Sequence, residues 1–153
     1  MLIREMTGIR RFSESLPMLL LRARETAMSR FRPILKSAGV TEQQWRALRA
    51  LHELGELTAA GLAAECAILA PSMTRIIRHL ANEGLVLANR SRNDQRALKL
   101  RISANGRRLV ERLGPEIEQA YAEIRDQMDA DHMAVLYREL GWFIERIGSQ
   151  SMR

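Results

Sequence analysis

The sequence predicts a mostly α chain of about six helices with one small antiparallel β hairpin, an α+β arrangement. Three observations carry this prediction. Met73, Ile76, Ile77 and Leu80 recur at i, i+3, i+4 and i+7, the apolar stripe of a helix over 71–83. Directly after it, LVLAN (85–89) and ALKLRI (97–102) are short β-compatible runs, the second alternating Leu98, Leu100 and Ile102 against Lys99 and Arg101. Long helical stripes fill both ends of the chain, while aromatic residues make up only 5% of it.

Taken in order, residues 1–13 mix basic and apolar groups around Gly8 and read as a loosely ordered arm. A long helix follows from Ser15 to about Ser37, with Leu16, Leu19, Leu20, Ala23, Ala27, Phe31 and Ile34 on its apolar face. Pro17 suits its first turn, whereas Pro33 is expected to bend or interrupt it near Ser29 to Arg32. Thr41-Glu-Gln-Gln44 is a capping box opening a helix that stops at Gly55, with Trp45, Leu48 and Leu51 (or its neighbour His52) as its stripe. Glu56-Leu57-Thr58 reads as an extended link, and Thr58 caps a short Ala- and Gly-rich helix. Cys66 to Ala70 connect it to the helix over 71–83, which Gly84 closes. Ser103 starts a helix running to Met128, with a kink expected at Gly114-Pro115. Asp129 or Asp131 caps the last helix, whose face is Met133, Leu136, Leu140, Phe143, Ile144 and Ile147.

At 153 residues the chain is one unit, 1–153, large enough to bury a core without disulfides or metal. Helices 14–38 and 103–148 carry more apolar surface than a head of residues 41–102 can cover, so they are assigned to dimerisation in a homodimer. Net charge is +6, and the cations are nearly all Arg, the lysines being Lys36 and Lys99. Arg matches phosphate and base edges bidentately better than Lys does. The N-terminus has no h-region, and the LPMLLL run is too short to span a bilayer, so a cytoplasmic protein without membrane contact is expected.

Two short helices joined by a tight turn form helix-turn-helix logic, here with Ala67-Ile68 in the turn where Gly is common. Opposite its stripe, the second helix presents Ser72, Thr74, Arg75, Arg78, His79 and Asn82, with no carboxylate before Glu83. A solvated surface helix would explain that face alone. The neighbouring segment RSRNDQR, where Arg90, Arg92 and Arg96 crowd around the single acid Asp94, changes the balance, because both features must share one surface to reach DNA. Asp94 can hold Arg96 extended toward a narrow minor groove.

Catalysis finds little support. His52, His79 and His132 lie far apart on three helices, and no Walker loop, G-x-S-x-G or GxGxxG occurs. No cofactor or metal is expected, and the chain is read as a non-enzyme. Cys66, the only cysteine, sits among Ala, Ile and Leu, which favours a buried inert thiol over a redox sensor.

GLAAECAILAPSMTRIIRHLANEGLVLANRSRNDQRALKLRISANGRRL, with Asp94-x-Arg96 before Leu98-Lys-Leu-Arg-Ile-Ser and an Asn-Gly pair, resembles the MarR family of bacterial winged helix-turn-helix regulators. ESLPMLLLRARETAMSRFRPIL, TEQQWRALRAL and CAILAPS are further similar to the branch that represses homoprotocatechuate (4-hydroxyphenylacetate) degradation operons. The resemblance implies a homodimer on a pseudo-palindromic double-stranded DNA operator, with half-sites roughly 34 Å apart. By position it makes Ser72, Thr74, Arg75, Arg78 and His79 the base and phosphate readers. Arg96 would enter the minor groove braced by Asp94, and Arg90 and Arg92 would grip phosphates. It also implies release by a small aromatic carboxylate, for which Arg24, Met28, Trp45 and His52 are the candidate effector residues; interhelical salt bridging and core packing are the plainer roles for those four. A ligand-responsive repressor of aromatic catabolism is thus the leading function. A thiol-responsive regulator acting through Cys66 and a winged-helix module for protein contacts are the alternatives.

Overall fold

The computed structural model describes residues 9–90 and 98–148. After a single 3₁₀ turn at Phe12–Glu14, the order is α1 (Leu16–Ser37), α2 (Glu42–Leu54), β1 (Leu57–Thr58), α3 (Ala59–Glu65), α4 (Ala70–Asn82), β2 (Val86–Arg90), β3 (Leu98–Ile102), α5 (Ala104–Met128) and α6 (Ala130–Gly148). That is six helices and a three-stranded antiparallel sheet in the order β1-β3-β2. No single helix among the described residues is long and apolar enough to cross a membrane.

Local chemistry sets the element ends. Thr41 Oγ1 accepts from the Gln44 amide at 3.2 Å while Gln44 Oε1 accepts from the Thr41 amide at 2.9 Å, the reciprocal box that starts α2. Gly84 takes φ +68°, so that its amide reaches the Ala81 carbonyl and Leu85's reaches Leu80, a Schellman close to α4. The same pattern ends α3, with Ala67 in the glycine role at φ +49°. Asp129 caps α6, accepting from the His132 amide at 2.9 Å.

Three expectations are revised. Leu57–Thr58 pairs antiparallel with Leu100 and Lys99, making a third strand of what reads in sequence as a link. Pro33 does not interrupt α1, which runs continuously through it, and Pro115 lies inside α5, the helix read through that position. Part of the N-terminal arm, Phe12–Glu14, is ordered as the 3₁₀ turn.

The core has two parts. In the head, Leu48, Leu51, Leu62, Met73, Leu80 and Leu100 are essentially inaccessible, packed with Cys66, Ile76, Ile77, Val86 and Ile102. The second cluster joins α1 to α5 through Phe31, Leu35, Leu113, Ile117 and Ala120, and Trp45 and Leu109 touch both. By contrast α6 packs on α5 with none of its residues buried, leaving Leu136, Tyr137, Leu140, Trp142, Ile144 and Ile147 exposed together with Leu16, Leu19 and Leu21 of α1.

Ser103 is the one buried polar side chain among the described residues. Its hydroxyl donates to the Gly84 carbonyl at 2.7 Å and accepts from the Gly106 amide at 3.0 Å, while its own amide bonds the Leu85 carbonyl at 3.0 Å. Gly106 permits this closeness, since a Cβ there would lie 2.2 Å from the Leu85 carbonyl oxygen. Gly106→Ala is therefore expected to destabilise the fold by about 1–3 kcal/mol through forced backbone displacement, read as a lower denaturation midpoint.

Four side chains lock α1 to the start of α2. Arg24 bonds Glu25 at 2.7 Å and Glu42 at 2.6 Å, and Arg32 bonds Glu25 at 2.5 Å and also Glu42. Arg32, and less strongly Arg24, hold the Glu42 carboxyl below the usual carboxylate range. A carboxyl depressed in the folded state contributes stability above its unfolded pKa and loses it as pH falls through the folded value. Glu42→Gln should lower the melting temperature at neutral pH, and the gap to wild type should narrow as pH falls below the usual carboxylate range. A gap independent of pH would assign the loss to something other than these ion pairs.

Candidate nucleic-acid and effector sites

Sequence periodicity turns α4 so that its stripe enters the head core: Met73, Ile76, Ile77 and Leu80 are all buried. At 100° per residue the opposite side is the line Pro71, Arg75, Arg78 and Asn82, all exposed. Thr74 and His79 flank it, also exposed, and Ser72 is half-buried. Neither Arg75, Arg78 nor His79 makes an ion pair with a described carboxylate. Thr74 Oγ1 donates to the Ala70 carbonyl at 3.0 Å.

The turn before α4 is anchored from α2, where Arg46 Nη1 donates to the Cys66 carbonyl at 2.7 Å, at the C-terminus of α3. Cys66 itself is 5% exposed, and burial pushes its thiol above the usual range. Cys66 packs within the head core.

Arg90 ends β2 opposite Leu98, the first residue of β3, so the two strands are paired to their tips. Residues 91–97 connect them, and Arg92, Asp94 and Arg96 lie outside the described residues. On the strands themselves Lys99 pairs with Glu56 at 3.0 Å, which ties β3 to the link before β1.

The candidate effector residues are dispersed. Arg24 lies in the four-residue ring with Glu25, Arg32 and Glu42, so its guanidinium is engaged within the chain. Met28 packs on the α1–α5 cluster, and His52 stands 4.0 Å from Glu111. Trp45 sits between the two core clusters with the Arg49 guanidinium 5.8 Å over its ring.

Next to Arg49 there is a cleft of about 380 Å³ between α2, α5 and α6, lined by Arg49, Glu118, Tyr121, Arg125, Met133 and Tyr137. Tyr121 leans on Phe31 with ring centroids 4.7 Å apart, and burial holds its phenol above the usual range, so it stays a donor at neutral pH. The cleft offers two guanidiniums, two phenols and a thioether to a small aromatic anion, with the Glu118 carboxylate also in its lining. Arg49 and Tyr121 were not among the sequence candidates. Their meeting is tertiary: 72 positions separate them, and no single helix pattern brings them together.

The model of the MarR family matches residues 40–98. The homoprotocatechuate degradative operon repressor of Escherichia coli is 43% identical over 131 residues, covering 86% of this chain and 88% of that protein. The transcriptional regulator FarR of Neisseria gonorrhoeae is 40% identical over 117 residues, covering 76% and 80%. Among solved structures, NadR in complex with 4-hydroxyphenylacetate superposes with a TM-score of 0.76 at 37% identity, covering 88% of this chain and 95% of that one. With an exposed recognition helix, a paired wing and relatives of this similarity over most of its length, the chain belongs to the MarR family of winged-helix transcriptional regulators.

Proposed function

We propose that the chain acts as a homodimeric repressor of an aromatic-compound catabolic operon, released from DNA by a small aromatic carboxylate. The observation that carries this reading is the pairing of two surfaces: a recognition helix whose cations lack described partners, and a cleft of Arg and Tyr side chains between head and terminal helices. The operon named for one relative and the ligand bound by another support the aromatic class.

In this reading the exposed apolar faces of α1 and α6 are covered by a second copy, which spaces two α4 helices for successive major grooves, roughly 34 Å apart. Arg75 and Arg78 face base edges and phosphates, with Ser72, Thr74 and His79 beside them. Arg90, Arg92 and Arg96, the last braced by Asp94, extend the contact onto the backbone and minor groove. An acid entering the cleft has its carboxylate on Arg49 and its ring against Tyr121. Because the cleft lies between α2 of the head and α5 and α6, a ligand there favours one head angle over another. DNA affinity then falls by the ligand's differential binding energy between the two.

The direct test is fluorescence anisotropy of the protein against DNA from upstream of its own gene, at two salt concentrations, with and without 4-hydroxyphenylacetate or homoprotocatechuate. Sequence-preferring binding that the acid weakens is expected; binding indifferent to these acids would remove the aromatic branch. Arg75→Ala should weaken operator binding by about 1–3 kcal/mol with an unchanged melting temperature, the mark of an interface residue.

Arg49→Ala should keep operator affinity in the absence of acid but raise the effector's Kd more than about tenfold, the loss expected of a charge-assisted contact. Arg24→Ala, whose guanidinium is held by Glu25 and Glu42, should shift that Kd less. The reverse order would move the effector site to α1.

A further inference from the structure

The α4 helix (Ala70–Asn82) has two chemically different halves. Its second half offers Arg75, Arg78 and His79. Its leading end is apolar. Leu69 stands at the N-cap with extended backbone and no capping hydrogen bond, and its side chain is 80% exposed, more than any other large apolar group between residues 41 and 102 that the structure describes. Ala70 and Pro71 beside it are exposed. Thr74 turns its hydroxyl proton back onto the Ala70 carbonyl one turn earlier.

An N-cap normally favours Ser, Thr, Asp or Asn, whose oxygen satisfies a free helix amide. Leu there forgoes that bond and places an isobutyl group in water. A fold-level reason is missing, since Leu69 does not belong to the head core. A reason in the bound state exists. Among the groups that base pairs present in the major groove, only the thymine 5-methyl is apolar. The leading end of a recognition helix is also the part that reaches base edges. The cations directly behind the patch, unpaired among the described residues, suit a polyanion and not an apolar protein surface.

We propose that Leu69 is a specificity-determining residue that covers a thymine 5-methyl, so that each operator half-site carries a thymine beneath the N-terminus of α4. The inference rests on the recognition-helix reading above, and the experiment separates the two.

Duplexes are selected by the full-length protein from a random pool, and each thymine of the selected half-site is replaced singly by deoxyuridine, which deletes the methyl and keeps the hydrogen-bonding edge. Anisotropy titrations then compare wild type, Leu69→Ala and Thr74→Ser. At one thymine the wild type should lose about fourfold in affinity per half-site, the effect of one buried methyl. Leu69→Ala should bind the thymine operator more weakly and lose most of that discrimination; Thr74→Ser, which deletes a methyl elsewhere on the helix, should keep it. A wild type that selects an operator yet ignores every thymine-to-deoxyuridine change overturns this inference and leaves the recognition helix standing. A Leu69→Ala variant as sensitive to the methyl as wild type overturns the assignment to Leu69. Failure to select any sequence overturns the recognition-helix reading itself.

Discussion

The relation between the recognition helix and the rest of the chain depends on one buried hydroxyl. Ser103 lies where four elements converge: the end of α4, the start of β2, the end of β3 and the start of α5. A buried backbone carbonyl or amide left unpaired is costly, and here one hydroxyl serves both, donating to Gly84 and accepting from Gly106. Threonine would keep the hydroxyl but add a methyl to a junction already closed to a Cβ three residues on. The Asn105-Gly106 pair of the sequence thus acquires a physical meaning, because Gly106 lets the first turn of α5 touch the turn that follows α4. With these bonds made, α4, the sheet and the beginning of α5 move together.

That rigidity gives the cleft its leverage. The same α5 that is joined to α4 at Ser103 supplies Glu118, Tyr121 and Arg125 further along, and carries α6 on its far end. The opposite wall, α2, is tied to α1 by the Arg24, Glu25, Arg32 and Glu42 ring and to the helix-turn-helix turn by Arg46. A ligand entering between α2 and α5 would press on α2, which is itself part of the head core. Exposed ion pairs in the ring are individually weak, which suits a joint that must give.

Much of this was legible in the sequence where the signal is local. The Thr41–Gln44 box, the Met73–Leu80 stripe and the Gly84 stop each involve residues within one or two turns of one another, and each is found as read. Non-local features were not legible. Leu57–Thr58 is too short for any alternation, and becomes a strand only because β3 lies beside it. Pro33 and Pro115 each remove one helix bond, yet both rings are exposed, so water can serve the carbonyls they free and neither helix stops. Arg24 reads as a cation beside an apolar stripe, and only the packing of α2 on α1 brings Glu42 to it from 18 positions away. The cleft itself is assembled from three helices, and no window of sequence contains it.

The distribution of charge matters more than its total. Between Cys66 and Val110 the acids are Glu83 and Asp94, against Arg75, Arg78, Arg90, Arg92, Arg96, Lys99, Arg101, Arg107 and Arg108. Outside that stretch Arg24, Arg32, Arg49 and Arg138 all have carboxylate neighbours within 4 Å. With nine cations against two acids, the stretch from Cys66 to Val110 carries the chain's excess of positive charge and forms a positive pole along the sequence. Such a pole draws the protein to any duplex without regard to sequence and weakens with added salt. It cannot choose among bases, because phosphates are the same everywhere. Selection among bases comes from contacts to base edges in the grooves, the task proposed here for the leading end of α4.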